Sequence, residues 1–226
     1  MSCEEFRLRH TRKMASTTKV KICGITNAED AAMAVDAGAD ALGFVFYRKS
    51  PRYIEPTLAR QIIMSLPPLV VPVGVFVDED QQVVRKLMDD CGLACAQLHG
   101  TESAIYCKDL GRTVLKALRV KDRSTFLALA EFRGRAGVRG FVLDTFSDLA
   151  YGGTGQVMDW QLAAEAAKVS SILLAGGLTP DNVEKAIHAV QPYGVDVSSG
   201  VERAPGKKDH EKVRAFIRAV RVVSLA

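Results

Sequence analysis

The chain has 226 residues, 48% of them hydrophobic and 25% charged, and its 30 Lys and Arg outnumber its 26 Asp and Glu for a net charge of +4. No run of about 18 uncharged apolar residues occurs, which excludes a helix that spans a membrane. The basic residues are not interleaved with aromatics in any block, and half of the excess lies within residues 1–15, so a nucleic-acid face is excluded too.

Residues 1–18, MSCEEFRLRHTRKMASTT, lack the apolar stretch of a secretory signal. Their arginines suggest an organellar leader, against which stand two glutamates and the short length. Met14 would serve equally well as a start. The segment is expected to be a disordered extension, with residues 19–226 forming the folded domain. The expected location is cytoplasmic, or organellar if the extension belongs to a transit peptide.

From Lys19 onward short apolar runs alternate with amphipathic stretches. Strands are predicted over 20–23, 41–46, 71–77, 95–98, 114–118, 140–144, 171–175 and 194–197. Helices are predicted over 28–37, 57–66, 80–90, 103–110, 124–131, 159–168, 180–190 and 208–223. Thr26 with Glu29 has capping-box spacing, and Thr179 followed by Pro180 predicts a cap with proline in the first helical position. Strict alternation implies a parallel sheet with helical crossovers. Eight such units suit a compact, closed α/β barrel of the (β/α)8 or TIM type. An open doubly wound sheet usually carries Gly-x-Gly-x-x-Gly in its first βα turn, where this chain has Gly24 alone.

The cysteines Cys3, Cys23, Cys91, Cys95 and Cys107 are odd in number and follow no framework spacing, which fits reduced thiols. Cys91, Cys95 and His99 resemble a zinc set only superficially. Cys95 and His99 fall at opposite ends of one predicted strand, four residues of about 3.3 Å each apart. No metal is expected.

Barrel chemistry sits where strands end. The predicted ends are Cys23, Phe46, Asp78, His99, Arg119, Asp144, Gly176-Gly177 and Ser198-Ser199-Gly200, and most are polar, reactive or glycine. Period-two alternation sends Val20 and Ile22 to the helices and Lys21 and Cys23 into the barrel. The same parity turns Asp144 and Asp196 inward. Lys21 and Asp196 are expected to pair, since an unpaired buried charge is costly. A thiol on strand 1 and a carboxylate on strand 6 face each other across the mouth and suit acid–base work. The glycines of loop 7 and the serines of loop 8 are where such barrels hold phosphate. Loop 2 carries Arg48, Lys49 and Arg52, one of which could clamp a second anion bidentately. Tyr151 to Gly155, YGGTG, reads as a lid over the mouth.

The segments KICGIT (21–26), GADALGFVFYRKSPRYI (38–54), VGVFVDE (73–79), QLHG (97–100), LDT (143–145), YGGTG (151–155), LAGGL (174–178), DVSSGVE (196–202) and PGKKD (205–209) resemble phosphoribosylanthranilate isomerase. The resemblance runs in order from Lys19 to Asp209. It implies an Amadori rearrangement in tryptophan biosynthesis, without cofactor or metal, on a small phosphorylated aminosugar. By motif it makes Cys23 the general base at C2′ and Asp144 the general acid at the furanose oxygen. It gives Arg52 to the anthranilate carboxylate, and Gly176, Gly177, Ser198, Ser199 and Gly200 to the phosphate. His99 joins the substrate-binding group, and Lys21 and Asp196 support it. Arg48 departs from the family, where proline is frequent. The competing readings are a histidine-pathway sugar isomerase, disfavoured by a cysteine on strand 1, and a barrel that binds phosphate ligands without turnover. The sequence leaves monomer and homodimer open.

Overall fold

The structure, a computed structural model, describes residues 17–120, 122–134, 137–145 and 160–225. Residues 1–16 and the YGGTG segment lie outside the described residues, and with them the expectations of a disordered extension and of a lid.

Eight strands close a parallel barrel in chain order: β1 (Lys19–Cys23), β2 (Ala41–Val45), β3 (Val71–Phe76), β4 (Cys95–Leu98), β5 (Val114–Val120), β6 (Val138–Thr145), β7 (Ile172–Leu174) and β8 (Gly194–Val197). Pairing of β1 with β8 sets Lys21 beside Asp196 and shuts the cylinder. The surrounding helices are α1 (Ala28–Asp36), α2 (Pro56–Met64), α3 (Gln81–Cys91), α4 (Ala104–Asp109), α5 (Ser124–Phe132), α6 (Trp160–Ala167), α7 (Val183–Val190) and α8 (His210–Leu225). Among the described residues no helix is long and apolar enough to cross a membrane.

Strand parity creates two apolar regions. Outward residues such as Val20, Ile22, Leu42, Phe44, Leu143 and Val195 form the main core beneath the helices. Inward residues form small clusters: Ala117, Val142, Leu173 and Ala175 on one side, and Cys23, Val45 and Val75 on the other. The interior is filled, as a barrel of this size requires.

Three local expectations are corrected. The cap of α1 is Asn27, whose side-chain oxygen accepts from the Asp30 amide; Thr26 instead donates its hydroxyl to the Gly206 carbonyl. Helix α7 starts at Val183 rather than Pro180. The Asn182 side chain accepts from the Thr179 amide and donates to the Gly177 carbonyl, which holds the preceding residues in a tight loop. Finally, the stretch after β8 contains a 3-10 turn (Ser199–Val201) and an antiparallel hairpin, β9 (Glu202–Ala204) with β10 (Lys207–Lys208), before α8 begins at His210. Lys208, predicted as the first helical residue, is a fully buried strand residue.

Candidate active site

A cavity of about 430 Å³ opens at the C-terminal end of the barrel. Cys23, Arg52, His99, Asp144, Gly176, Gly177, Ser198, Ser199, Gly200 and Asp196 all line it, and Gln97 forms part of its wall. Of the strand ends singled out from sequence, those of strands 1, 4, 6, 7 and 8 surround this space, whereas Phe46, Asp78 and Arg119 lie outside its lining. Lys21 lies below, with its ammonium 2.8 and 2.9 Å from the two Asp196 oxygens and almost no exposure.

Cys23 is the last residue of β1, with Gly43 of β2 beside it in register. A Cβ on Gly43 would come within 2.7 Å of the Cys23 sulfur and 3.1 Å of Lys21 Nζ. The missing side chain at Gly43 makes the room that the thiol and the ammonium occupy. Burial pushes the Cys23 thiol above its ordinary pKa, opposed by the nearby charges of Lys21 and Lys208. Helix α1 begins only at Ala28, so the charges that counter the desolvation are these two cations. Burial also works against the charge on Lys21, but Asp196 outweighs it and holds the ammonium above its usual range.

Opposite, Asp144 Oδ2 lies 3.4 Å from His99 Nε2. The other ring nitrogen, Nδ1, is 3.2 Å from Gln97 Nε2. His99 thus leans on the carboxylate rather than standing apart from it.

Loops 7 and 8 make an open rim of backbone. Gly176 and Gly177 both adopt left-handed conformations, φ +83° and +67°, where an L side chain is strained. A Cβ on Gly200 would collide with the Leu178 carbonyl, so only glycine lets the two loops meet. The Ser198 hydroxyl is buried on this rim without a hydrogen-bond partner among the described residues.

In loop 2 both arginines have protein partners. Arg48 stacks on Tyr53 at 5.1 Å and pairs with Glu55, outside the cavity lining. Arg52 donates from Nε and Nη2 to the two oxygens of Glu202, at 2.9 and 2.7 Å. Nε and one Nη2 proton are thus engaged, which leaves the end-on Nη1/Nη2 edge for a ligand carboxylate. Glu202 also accepts from Lys208 Nζ at 2.9 Å, and the same ammonium donates to the Cys23 carbonyl at 2.6 Å. Burial opposes the charge of Glu202, but Arg52 and Lys208 hold its pKa below the usual carboxylate value. Burial lowers the pKa of Lys208 despite Glu202. The hairpin thus ties the end of β1 to loop 2. Sequence reading assigned no role to Glu202, Lys208, Gly43 or Gln97. Inward parity could have found Gly43 and Gln97, since a glycine within a strand marks close approach; nothing local could have found the other two.

A thiol, a carboxylate and a rim of glycines and serines share one mouth of a closed eightfold barrel, which is the architecture of the (β/α)8-barrel enzymes, with the site at the strand ends. Within that class the match is specific. A family model for N-(5'phosphoribosyl)anthranilate (PRA) isomerase covers residues 20–219, and the chain belongs to this family. It is 54% identical to the N-(5'-phosphoribosyl)anthranilate isomerase of Pelobacter propionicus over 200 residues, 88% of this chain and 94% of that one. The phosphoribosyl anthranilate isomerase of Thermotoga maritima superposes with a TM-score of 0.84 at 41% identity, across 91% of this chain and 99% of the other. A structure of the enzyme in complex with reduced 1-(o-carboxyphenylamino)-1-deoxyribulose 5-phosphate matches at TM-score 0.81 and 41% identity, over 91% and 99% of the two chains.

Proposed function

We propose that the chain is an N-(5′-phosphoribosyl)anthranilate isomerase of tryptophan biosynthesis, an aldose–ketose isomerase that yields 1-(2-carboxyphenylamino)-1-deoxyribulose 5-phosphate. The observation that carries this reading is the meeting of Cys23 and Asp144 in one cavity, with an anion rim on loops 7 and 8 and Arg52 on loop 2. Family membership supports it.

The phosphate sits on Gly176, Gly177, Ser199 and Gly200, with the unpartnered Ser198 hydroxyl as a further donor. The anthranilate carboxylate meets the Nη1/Nη2 edge of Arg52. With both ends held, C1′ and C2′ lie between acid and base. Asp144 gives its proton to the furanose oxygen, and the C1′–O bond breaks to leave a Schiff base. Cys23 as thiolate removes the C2′ proton, and the electron pair moves into the C1′–N system. The resulting enolamine becomes the ketone. Because burial raises the Cys23 pKa, Lys21 and Lys208 act as the charges that make a thiolate tolerable. Each positioned proton transfer contributes about 10²–10⁴-fold.

The test is turnover of freshly made phosphoribosylanthranilate, followed by loss of its fluorescence. Cys23→Ala and Asp144→Asn are expected to lower kcat at least a hundred-fold while product-analogue binding persists. Full turnover by Cys23→Ala refutes the base assignment.

A further inference from the structure

Gln97 lies on β4 between Val75 of β3 and Leu115 of β5, its register partners, which bring no polar side chain to it. It is 1% exposed, yet it lines the cavity. Its Nε2 is engaged by His99 Nδ1, and its Oε1 has no hydrogen-bond partner among the described residues. A buried carbonyl oxygen left without a donor is costly and rare. Its residue lines the cavity, so a ligand seated there can bring the donor that this oxygen lacks.

The two ends of this amide do different things. An amide nitrogen only donates, so His99 Nδ1 must accept and the imidazole proton must sit on Nε2. Nε2 lies 3.4 Å from Asp144 Oδ2. We infer that Gln97 sets the His99 tautomer that donates to Asp144, while its Oε1 accepts a hydrogen bond from a hydroxyl of the opened sugar. The inference rests on the proposed isomerase reading. With Oδ2 occupied by His99, the transferable proton of Asp144 resides on Oδ1, and the carboxylate left after ring opening is stabilised by His99. Gln97 is a positioning residue towards Asp144 and a specificity residue towards the sugar, selecting a hydroxylated chain over a deoxy one.

Nitrogen-15 spectra of histidine-labelled protein report the tautomer directly, with the His99 signals among the 4 histidines assigned by their loss in His99→Asn. Wild-type His99 is expected to be protonated on Nε2. Gln97→Glu, which offers only acceptors, is expected to move that proton to Nδ1. Gln97→Leu fills the same space and is expected to lose roughly ten-fold or more in kcat/KM. A wild-type His99 protonated on Nδ1 overturns the inference. So does a Gln97→Leu enzyme with wild-type kcat/KM while Cys23→Ala and Asp144→Asn are inactive. If those two controls instead retain full turnover, the isomerase mechanism itself has failed, and the tautomer result still stands or falls on its own.

Discussion

Glu202→Gln tests the hairpin as the anchor of loop 2. Glu202 is 9% exposed and holds two cations, Arg52 through two short hydrogen bonds and Lys208 through one. The amide keeps the shape but removes the anion, which leaves Arg52 and Lys208 near each other without compensation. Removing one partner of a buried ion pair costs about 3–5 kcal/mol. For a chain of this length a kilocalorie moves Tm by roughly 2–4 °C, so the variant is expected to melt about 6–20 °C lower. The pH dependence has a definite sign. The folded pKa of Glu202 lies below its ordinary 4.5, so its stabilisation is complete above that value and lost as pH falls through the folded pKa. Calorimetry between pH 3 and 8 is expected to show the gap between wild type and variant narrowing at the acid end. Because Arg52 loses its anchor, KM for substrate rises more than kcat falls. A variant with Tm within about 2 °C of wild type and an unchanged KM would refute the anchoring role.

Gly43→Ala is expected to displace the Cys23 sulfur, since the new methyl would stand 2.7 Å from it; kcat should fall ten-fold or more while the far-ultraviolet spectrum stays unchanged, and wild-type kcat would refute the contact. Asp196→Asn leaves Lys21 charged and alone inside the barrel, which is expected to cost about 3–5 kcal/mol in urea unfolding; a loss below about 1 kcal/mol contradicts it. Gly200→Ala forces loops 7 and 8 apart at the Leu178 carbonyl, so inorganic phosphate should compete with substrate far less well than in wild type. An unchanged inhibition constant would remove these loops from the phosphate site.

The alternation of apolar runs with amphipathic stretches was enough to specify eight βα units and a parallel barrel, because periods of 2 and 3.6 residues are local properties of a chain. Parity on each strand turned Lys21, Cys23, Asp144 and Asp196 inward for the same reason, and barrel closure brought them to one end. Tertiary structure decided what surrounds them. Arg52 meets Glu202 across 150 residues of chain, and Lys208 meets the Cys23 carbonyl across 185. No periodicity encodes such contacts, since they exist only once β8 closes on β1 and the hairpin folds over the rim. The same distance effect chose Asn27 over Thr26 as the cap of α1: the Thr26 hydroxyl is taken by Gly206, 180 residues away. The inward placement of the thiol and the carboxylate was thus legible strand by strand, whereas their surroundings, Gly43 beside the thiol, Lys208 behind it and Gln97 beside His99, follow from packing between strands and loops.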